Sequence, residues 1–267
     1  MKKLLALALS IVMLLAVAGC AGTASVSDAD TAKPAGDTAT QGTASTDKQI
    51  KIMPLGDSLT AGYPDTCGYR NYLCDILLED GYNFMFVGPN NTPADRLDRY
   101  NFPEEYSHHS AQGGWKLTDV LANKERLFTE EYDPDIIMLM ITTNDLPDNL
   151  NEQLEERYRT LVAYIFRCYP DVTLYCANPI PKRDAAGNIS EVNSRIVDWE
   201  IPFLKQLAAA KQKNGYDMRY VDMTNKTLNY VADDIRSDDN IHPTDSGNMK
   251  LAAAWYNAIK SRLDELK

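Results

Sequence analysis

At 267 residues, with 44% of them hydrophobic, the chain is long enough for one α/β domain with a real core or for two small domains. Its formal net charge of −11 at pH 7 repels phosphate backbones, which argues against nucleic acid as a partner and disfavours polyanionic substrates.

The first element is a leader. Lys2 and Lys3 precede an apolar run over residues 4–18 that is short for a bilayer span and fits a secretory signal. The run closes on Val17-Ala18-Gly19-Cys20, which resembles a bacterial lipobox. That resemblance implies cleavage before Cys20 and acylation of its thiol, and two acyl chains suffice for stable anchoring. The expectation is a signal peptide over 1–19 and a protein held at the outer face of the cell membrane through Cys20, or secreted. Residues 21–48 are mostly Ala, Thr, Ser, Gly and Asp. Such a stretch cannot bury enough apolar surface to offset chain entropy, so 20–48 is expected to be a disordered tether. No repeat or second linker follows, so 49–267 reads as one domain.

Within that domain short apolar runs alternate with helical patterns. Strands are expected over 50–55, 83–87, 135–141, 172–177 and 218–222. Helices are expected over 69–80, 117–128, 150–168, 192–213 and 245–266. In the third helix Leu150, Leu154, Leu161, Ile165 and Cys168 form one apolar face. The run Ile136-Ile137-Met138-Leu139-Met140-Ile141 is apolar on both faces, as a central parallel strand flanked by helices should be. Alternating β and α elements predict a doubly wound parallel sheet, whose ligands bind beyond the carboxyl ends of the strands.

Four cysteines follow Cys20: Cys67, Cys74, Cys168 and Cys176. They are too few for a disulfide scaffold. On one helix Cys67 and Cys74 would lie ~10 Å apart, beyond disulfide reach. A bridge between Cys168 and Cys176 stays open. The spacings match no common zinc motif, so no metal is expected there, and small buried apolar residues are the default.

The strand ends carry the chemistry. Gly56-Asp57-Ser58-Leu59 follows the first strand as a tight turn presenting a hydroxyl, and Ser58 reads equally as a helix N-cap or as a nucleophile. Gln112-Gly113-Gly114-Trp115 precedes a helix, and is either a turn or an anion site built from backbone N–H groups. Thr142-Thr143-Asn144-Asp145 follows the third strand, where Asn144 is a loop residue or an oxyanion donor. Asp239-Asn240-Ile241-His242-Pro243 precedes the last helix. His242 has the chemistry of a base for a serine hydroxyl, with Asp239 to orient its ring. A calcium site from Asp233, Asp234, Asp238 and Asp239 is the competing thought, and it lacks EF-hand spacing.

Taken together and in order, these blocks resemble the SGNH (GDSL) hydrolase superfamily over essentially the whole folded domain. The resemblance implies a flavodoxin-like three-layer α/β/α sandwich with a five-stranded parallel sheet. It implies Ser58, His242 and Asp239 as a catalytic triad, with an oxyanion hole from the Ser58 and Gly114 N–H groups and the Asn144 side chain. The runs Ile52 to Ser58, Gly68-Tyr69-Arg70, Phe86-Val87-Gly88, Gly114-Trp115 and Trp255-Tyr256 look like carbohydrate esterase family 3, whose members remove acetyl groups from xylan and related sugars. A pairing of Asp57 with Arg70 to brace the serine turn, or a surface role for Arg70, follows from the same comparison. Two positions depart from the family pattern: Thr142 stands where Gly is usual, and Gln112 where His is frequent.

The expectation is a serine esterase that needs no cofactor and hydrolyses short-chain acyl esters, acetyl esters on polysaccharides first among them. Other acyl esters, thioesters and lysophospholipids are alternative substrates. A surface carbohydrate-binding protein on a retired hydrolase scaffold is the alternative from another class. The segment 89–110 reads as a long loop shaping the substrate pocket.

Overall fold

The two faces of the strand Ile136–Met140 show how the domain is assembled. Ile136, Met138 and Met140 enter one apolar cluster and Ile137, Leu139 and Ile141 the other, and all six are fully buried. Period-two alternation thus puts a core on each side of the sheet. Truncating any of these side chains to Ala removes about 2–5 kcal/mol of stability.

The computed structural model describes residue 33 and residues 48–146, 151–184, 186–188, 192–224 and 228–267. The leader, the lipobox with Cys20 and nearly all of the tether lie outside the described residues, as does Leu150. The strands are β1 (Ile50–Gly56), β2 (Phe84–Phe86), β3 (Asn90–Asn91), β4 (His108–Ala111), β5 (Ile136–Met140), β6 (Thr173–Ala177) and β7 (Met218–Val221). They form one sheet in the order β3-β4-β1-β5-β6-β7, with β2 also paired to β1.

Seven strands, not five, make this sheet. β2 pairs with the first half of β1 (Ile50 to Ile52) and β4 with its last two residues, so two short strands share one position in succession. β3 adds an antiparallel edge against β4, whereas every other pair is parallel. The extra strands were hidden in the sequence because Asn90-Asn91 and His108-His109-Ser110 show no apolar alternation.

The helices are α1 (Ser58–Ala61), α2 (Arg70–Glu79), α3 (Ala94–Tyr100), α4 (Leu117–Ala122), α5 (Lys124–Leu127), α6 (Asn151–Cys168), α7 (Val192–Arg195), α8 (Ile201–Lys213) and α9 (Asp245–Leu266). α2 and α9 cover one face of the sheet, while α4, α6 and α8 cover the other, giving three layers. The helix expected over 117–128 breaks at Asn123, whose side-chain amide donates to the Asp119 carbonyl at 2.9 Å and competes with the helical backbone. The helix expected over 192–213 contains a π-turn at Ile196–Glu200, just before Pro202. Proline lacks an N–H and crowds the carbonyl four residues back, and the wider turn relieves both problems.

The segment 89–110 is no loop: it holds β3, α3, a 3-10 turn at Glu104–Tyr106 and β4. None of the four cysteines after Cys20 is in a disulfide, so Cys168 and Cys176 are not bridged. Among the described residues no helix is long and apolar enough to cross a membrane.

Candidate active site

β1 runs into α1 with a single residue between them. Gly56 ends the strand, and a Cβ there would stand 2.0 Å from the Met140 carbonyl oxygen, so only glycine lets β1 and β5 close at this point. Asp57 is the N-cap: its Oδ1 accepts the Leu59 N–H at 3.0 Å. Ser58 is therefore the first helical residue, not the cap, and its hydroxyl is not spent on the helix.

The opposite wall is the loop before α9. Asp239 Oδ1 accepts the N–H groups of Ile241 (2.9 Å) and His242 (3.0 Å), folding the loop tightly about Asn240, which is in the left-handed region at φ 62°. Asp239 Oδ2 stands 2.8 Å from His242 Nδ1, and His242 Nε2 stands 2.8 Å from Ser58 Oγ. Burial works to raise the Asp239 carboxyl, but the N–H groups of His242 and Ile241 and the His242 ring outweigh it and hold it below its ordinary value. An ionised Asp239 keeps the imidazole proton on Nδ1, which leaves Nε2 as acceptor for the Ser58 hydroxyl. The ring of Tyr63, itself 46% exposed, lies 4.3 Å from the His242 ring, centroid to centroid.

The other acids near this loop have separate partners. Asp238 pairs with Arg236, and Asp234 with Lys250 and Ser246. Among the described residues no three His, Cys, Asp or Glu side chains are grouped as metal ligands would be.

The loop after β4 lies against the serine: a Cβ at Gly113 would be 3.9 Å from Ser58 Cβ. Gln112 N–H bonds the Gly56 carbonyl at 3.2 Å and Trp115 N–H the Gln112 carbonyl at 3.3 Å, which fixes the loop with Gly114 at φ 80°. Among the described residues no backbone carbonyl outside a helix or strand accepts from the N–H groups of Ser58 and Gly114. Asn144, after β5, turns its amide to the same loop and donates to the Trp115 carbonyl at 2.9 Å. An amide carries two hydrogens, so this bond leaves one.

Thr142 stands at φ 92°, a region costly for a β-branched residue by about 1–3 kcal/mol. Its hydroxyl contacts the Ile141 carbonyl and lies 2.6 Å from Glu200 Oε1. Burial pushes the Glu200 carboxyl up to about 8, against hydrogen bonds from Thr142 and Tyr158.

Arg70 corrects the pairing expected with Asp57. It is fully buried, and its guanidinium donates to the carbonyls of Thr60 (2.9 Å), Ser107 (2.8 Å) and Ala61 (3.1 Å) and to Thr92 Oγ1 (2.7 Å). The brace on the serine turn thus grips the carbonyl end of α1, where helix carbonyls lack intrahelical donors. It also ties α1 to the segment between α3 and β4. Asp57 instead faces Thr143 and Lys182. Burial pushes its carboxyl up to about 6, while the Leu59 N–H, Thr143 and Lys182 pull the other way. Lys182 Nζ holds the Thr143 carbonyl at 2.8 Å.

Tyr63, Lys182 and Glu200 escaped the sequence reading. For Glu200 a signal existed, because it falls on the same helical stripe as Ile196, Phe203, Leu204 and Leu207, all buried. Tyr63 and Lys182 sit in segments without periodicity, and no local pattern marks them.

Residues 55–250 match the GDSL-like lipase/acylhydrolase family. A multidomain esterase of Ruminococcus flavefaciens is 29% identical over 229 residues, which cover 80% of this chain and 29% of that protein, so the chain spans under a third of that relative's length. A family 3 carbohydrate esterase of Clostridium thermocellum superposes with a TM-score of 0.64 at 26% identity, covering 82% of this chain and 99% of that one. Two further structures share the fold. A family 3 carbohydrate esterase of Talaromyces cellulolyticus has a TM-score of 0.63 at 21% identity, covering 82% of this chain and 100% of its own. A mutant acetylxylan esterase of Geobacillus stearothermophilus has 0.54 at 19%, covering 80% and 96%. The match takes in the serine turn, both glycines, Asn144 and the Asp239–His242 loop: the chain belongs to the GDSL-like lipase/acylhydrolase family.

Proposed function

We propose that this chain is a serine esterase in which Ser58 is the nucleophile, His242 the general base and acid, and Asp239 the residue that orients and charges the imidazole. The observation that carries the reading is the unbroken pair of 2.8 Å contacts from Asp239 through His242 to Ser58. His242 Nε2 takes the hydroxyl proton as Ser58 Oγ bonds to the ester carbonyl carbon. The oxyanion is held by the Ser58 and Gly114 N–H groups and by the remaining amide hydrogen of Asn144. Collapse of that intermediate breaks the ester C–O bond, and the departing alcohol takes the proton from His242. Water then gives a proton to His242 as its oxygen bonds to the acyl carbon; the bond from that carbon to Ser58 Oγ breaks, the acid leaves, and His242 returns the proton to Ser58. This chemistry needs no cofactor.

The substrate we assign is an acetyl ester of a polysaccharide such as xylan. Support comes from structural neighbours described as carbohydrate and acetylxylan esterases. The test is acetate release from a panel of acetylated glycans, together with turnover of p-nitrophenyl esters of increasing chain length. Acetate release and a sharp loss beyond butyrate are expected; equal or faster turnover of long acyl chains would overturn the acetyl assignment. We further propose that Cys20 carries the lipid anchor, so that Cys20→Ser should move the protein from the membrane to the soluble fraction. Unchanged membrane retention of that variant would overturn the anchor.

A further inference from the structure

We infer that Glu200 is a positioning residue for the oxyanion site: its carboxyl group holds Thr142 in the left-handed backbone from which Asn144 is presented. The inference rests on the proposed esterase mechanism and adds to it a residue far from the four motif blocks in sequence.

The turn after β5 begins at Thr142. Its carbonyl accepts the N–H groups of Asp145 (2.9 Å) and Leu146 (3.0 Å), closing the turn that carries Asn144. Asn144 then reaches the Trp115 carbonyl, and Asp145 Oδ2 accepts the Leu117 N–H at 3.1 Å. The orientation of the Thr142 peptide therefore decides where the Asn144 amide points and how the turn docks on the Gly114 loop. Glycine takes a φ of 92° freely, but threonine does so only when its surroundings hold it there.

Glu200 supplies that hold through the Thr142 hydroxyl. Thr142 Oγ1 contacts both the Ile141 carbonyl and Glu200 Oε1, yet a hydroxyl has one hydrogen. Thr142 Oγ1 donates to Glu200 Oε1 at 2.6 Å, which fixes the threonine side chain and with it the turn. Tyr158 Oη donates to Glu200 Oε1 at 3.2 Å, while Glu200 Oε2 is buried without a partner among the described residues. A bare, buried carboxylate oxygen is far costlier than a neutral acid, so the acid form fits the site.

The groups facing Glu200 agree. Tyr158 of α6, Asp145 of the turn, Cys176 of β6 and Tyr220 of β7 bring no positive charge. Among the described residues Arg195 of α7 is the opposing cation: its Nη2 donates to Asn151, and its Nη1 is buried without a hydrogen-bond partner.

The test is the kcat and KM on p-nitrophenyl acetate for wild type, Glu200→Gln, Glu200→Ala, Thr142→Gly and the Glu200→Ala/Thr142→Gly pair, with Ser58→Ala alongside. Loss of an oxyanion donor costs roughly 10²–10³ in kcat, so a misaimed Asn144 in Glu200→Ala should cost about tenfold or more at nearly constant KM. Glycine at 142 needs no tether and should restore kcat to the double variant. Glu200→Gln keeps an acceptor oxygen for the Thr142 hydroxyl and should keep kcat. Wild-type kcat in Glu200→Ala, or no recovery in a folded double variant, would overturn the inference. If Glu200→Ala fails to fold, a folded Glu200→Gln whose kcat falls about tenfold or more does so instead. Turnover surviving in Ser58→Ala would sink the esterase reading itself. An inactive Ser58→Ala beside an unaffected Glu200→Ala sinks the positioning role alone.

Discussion

Asp57 and Ser58 divide the start of α1 between them: the Asp57 carboxyl takes the Leu59 N–H at 3.0 Å, and the Ser58 hydroxyl is left to His242 at 2.8 Å. Asp57→Ala should lose the cap, a cost of ~1 kcal/mol in urea unfolding at neutral pH, and should lower turnover by loosening the turn. Asp57→Asn keeps an acceptor oxygen and drops a buried charge. Its unfolding free energy should match or exceed that of wild type above pH 6, where the raised Asp57 carboxyl is ionised. A loss as large as that of Asp57→Ala would mean that the negative charge itself stabilises the turn.

Stability should fall as pH rises through the neutral range. Between about 4.5 and about 8 the folded chain keeps the Glu200 proton that the unfolded chain has already released. The folded state therefore binds more protons, and unfolding free energy declines across that window and stays low above it. Asp57 adds the same trend between 3.8 and about 6. Glu200→Gln removes the larger part, so its melting temperature should decline less than that of wild type between pH 5 and pH 9. Parallel curves would show that Glu200 does not titrate in this range.

Arg70 is a buried cation held by carbonyls and one hydroxyl, with no carboxylate among these contacts. Arg70→Ala leaves the Thr60, Ala61 and Ser107 carbonyls without that donor. At about 1–3 kcal/mol for each unsatisfied buried group, the loss should exceed about 3 kcal/mol in urea unfolding. Arg70→Lys keeps the charge without the planar fork and should fall between that variant and wild type. A loss below about 1 kcal/mol for Arg70→Ala would mean that water replaces the guanidinium.

Asp239→Asn should lower kcat by on the order of 10³–10⁴ while KM changes little, because an amide favours the wrong imidazole tautomer. Steady-state kinetics on p-nitrophenyl acetate reads this directly. A loss under tenfold would assign Asp239 to loop structure, through its bonds to the Ile241 and His242 N–H groups, and not to the chemistry.

What the sequence made legible followed its periodicity. β5 and α9 lie where their apolar patterns place them, since a strand buried on both faces and a long amphipathic helix carry many agreeing residues. β3, β4 and α3 stayed hidden because they are short, polar and held by tertiary contacts such as those from Arg96 to the Gly62 and Thr66 carbonyls. The same contrast divides the site. Ser58, Gly114, Asn144, Asp239 and His242 stand in recognisable blocks, whereas Arg70's true partners are backbone carbonyls, which no side-chain pattern encodes. Thr142 was visible as an odd residue, but its counterpart Glu200 lies 58 positions away and is joined to it only by the fold.

The central claim is that Ser58 Oγ is the atom that carries the acyl group, and covalent labelling tests it most directly. Wild-type protein treated with a fluorophosphonate should gain one phosphonyl group, located by peptide mass spectrometry on Ser58. Ser58→Ala should neither label nor turn over p-nitrophenyl acetate above about 10⁻⁴ of the wild-type rate. Adduct formation on another residue, or wild-type turnover in Ser58→Ala, would contradict it.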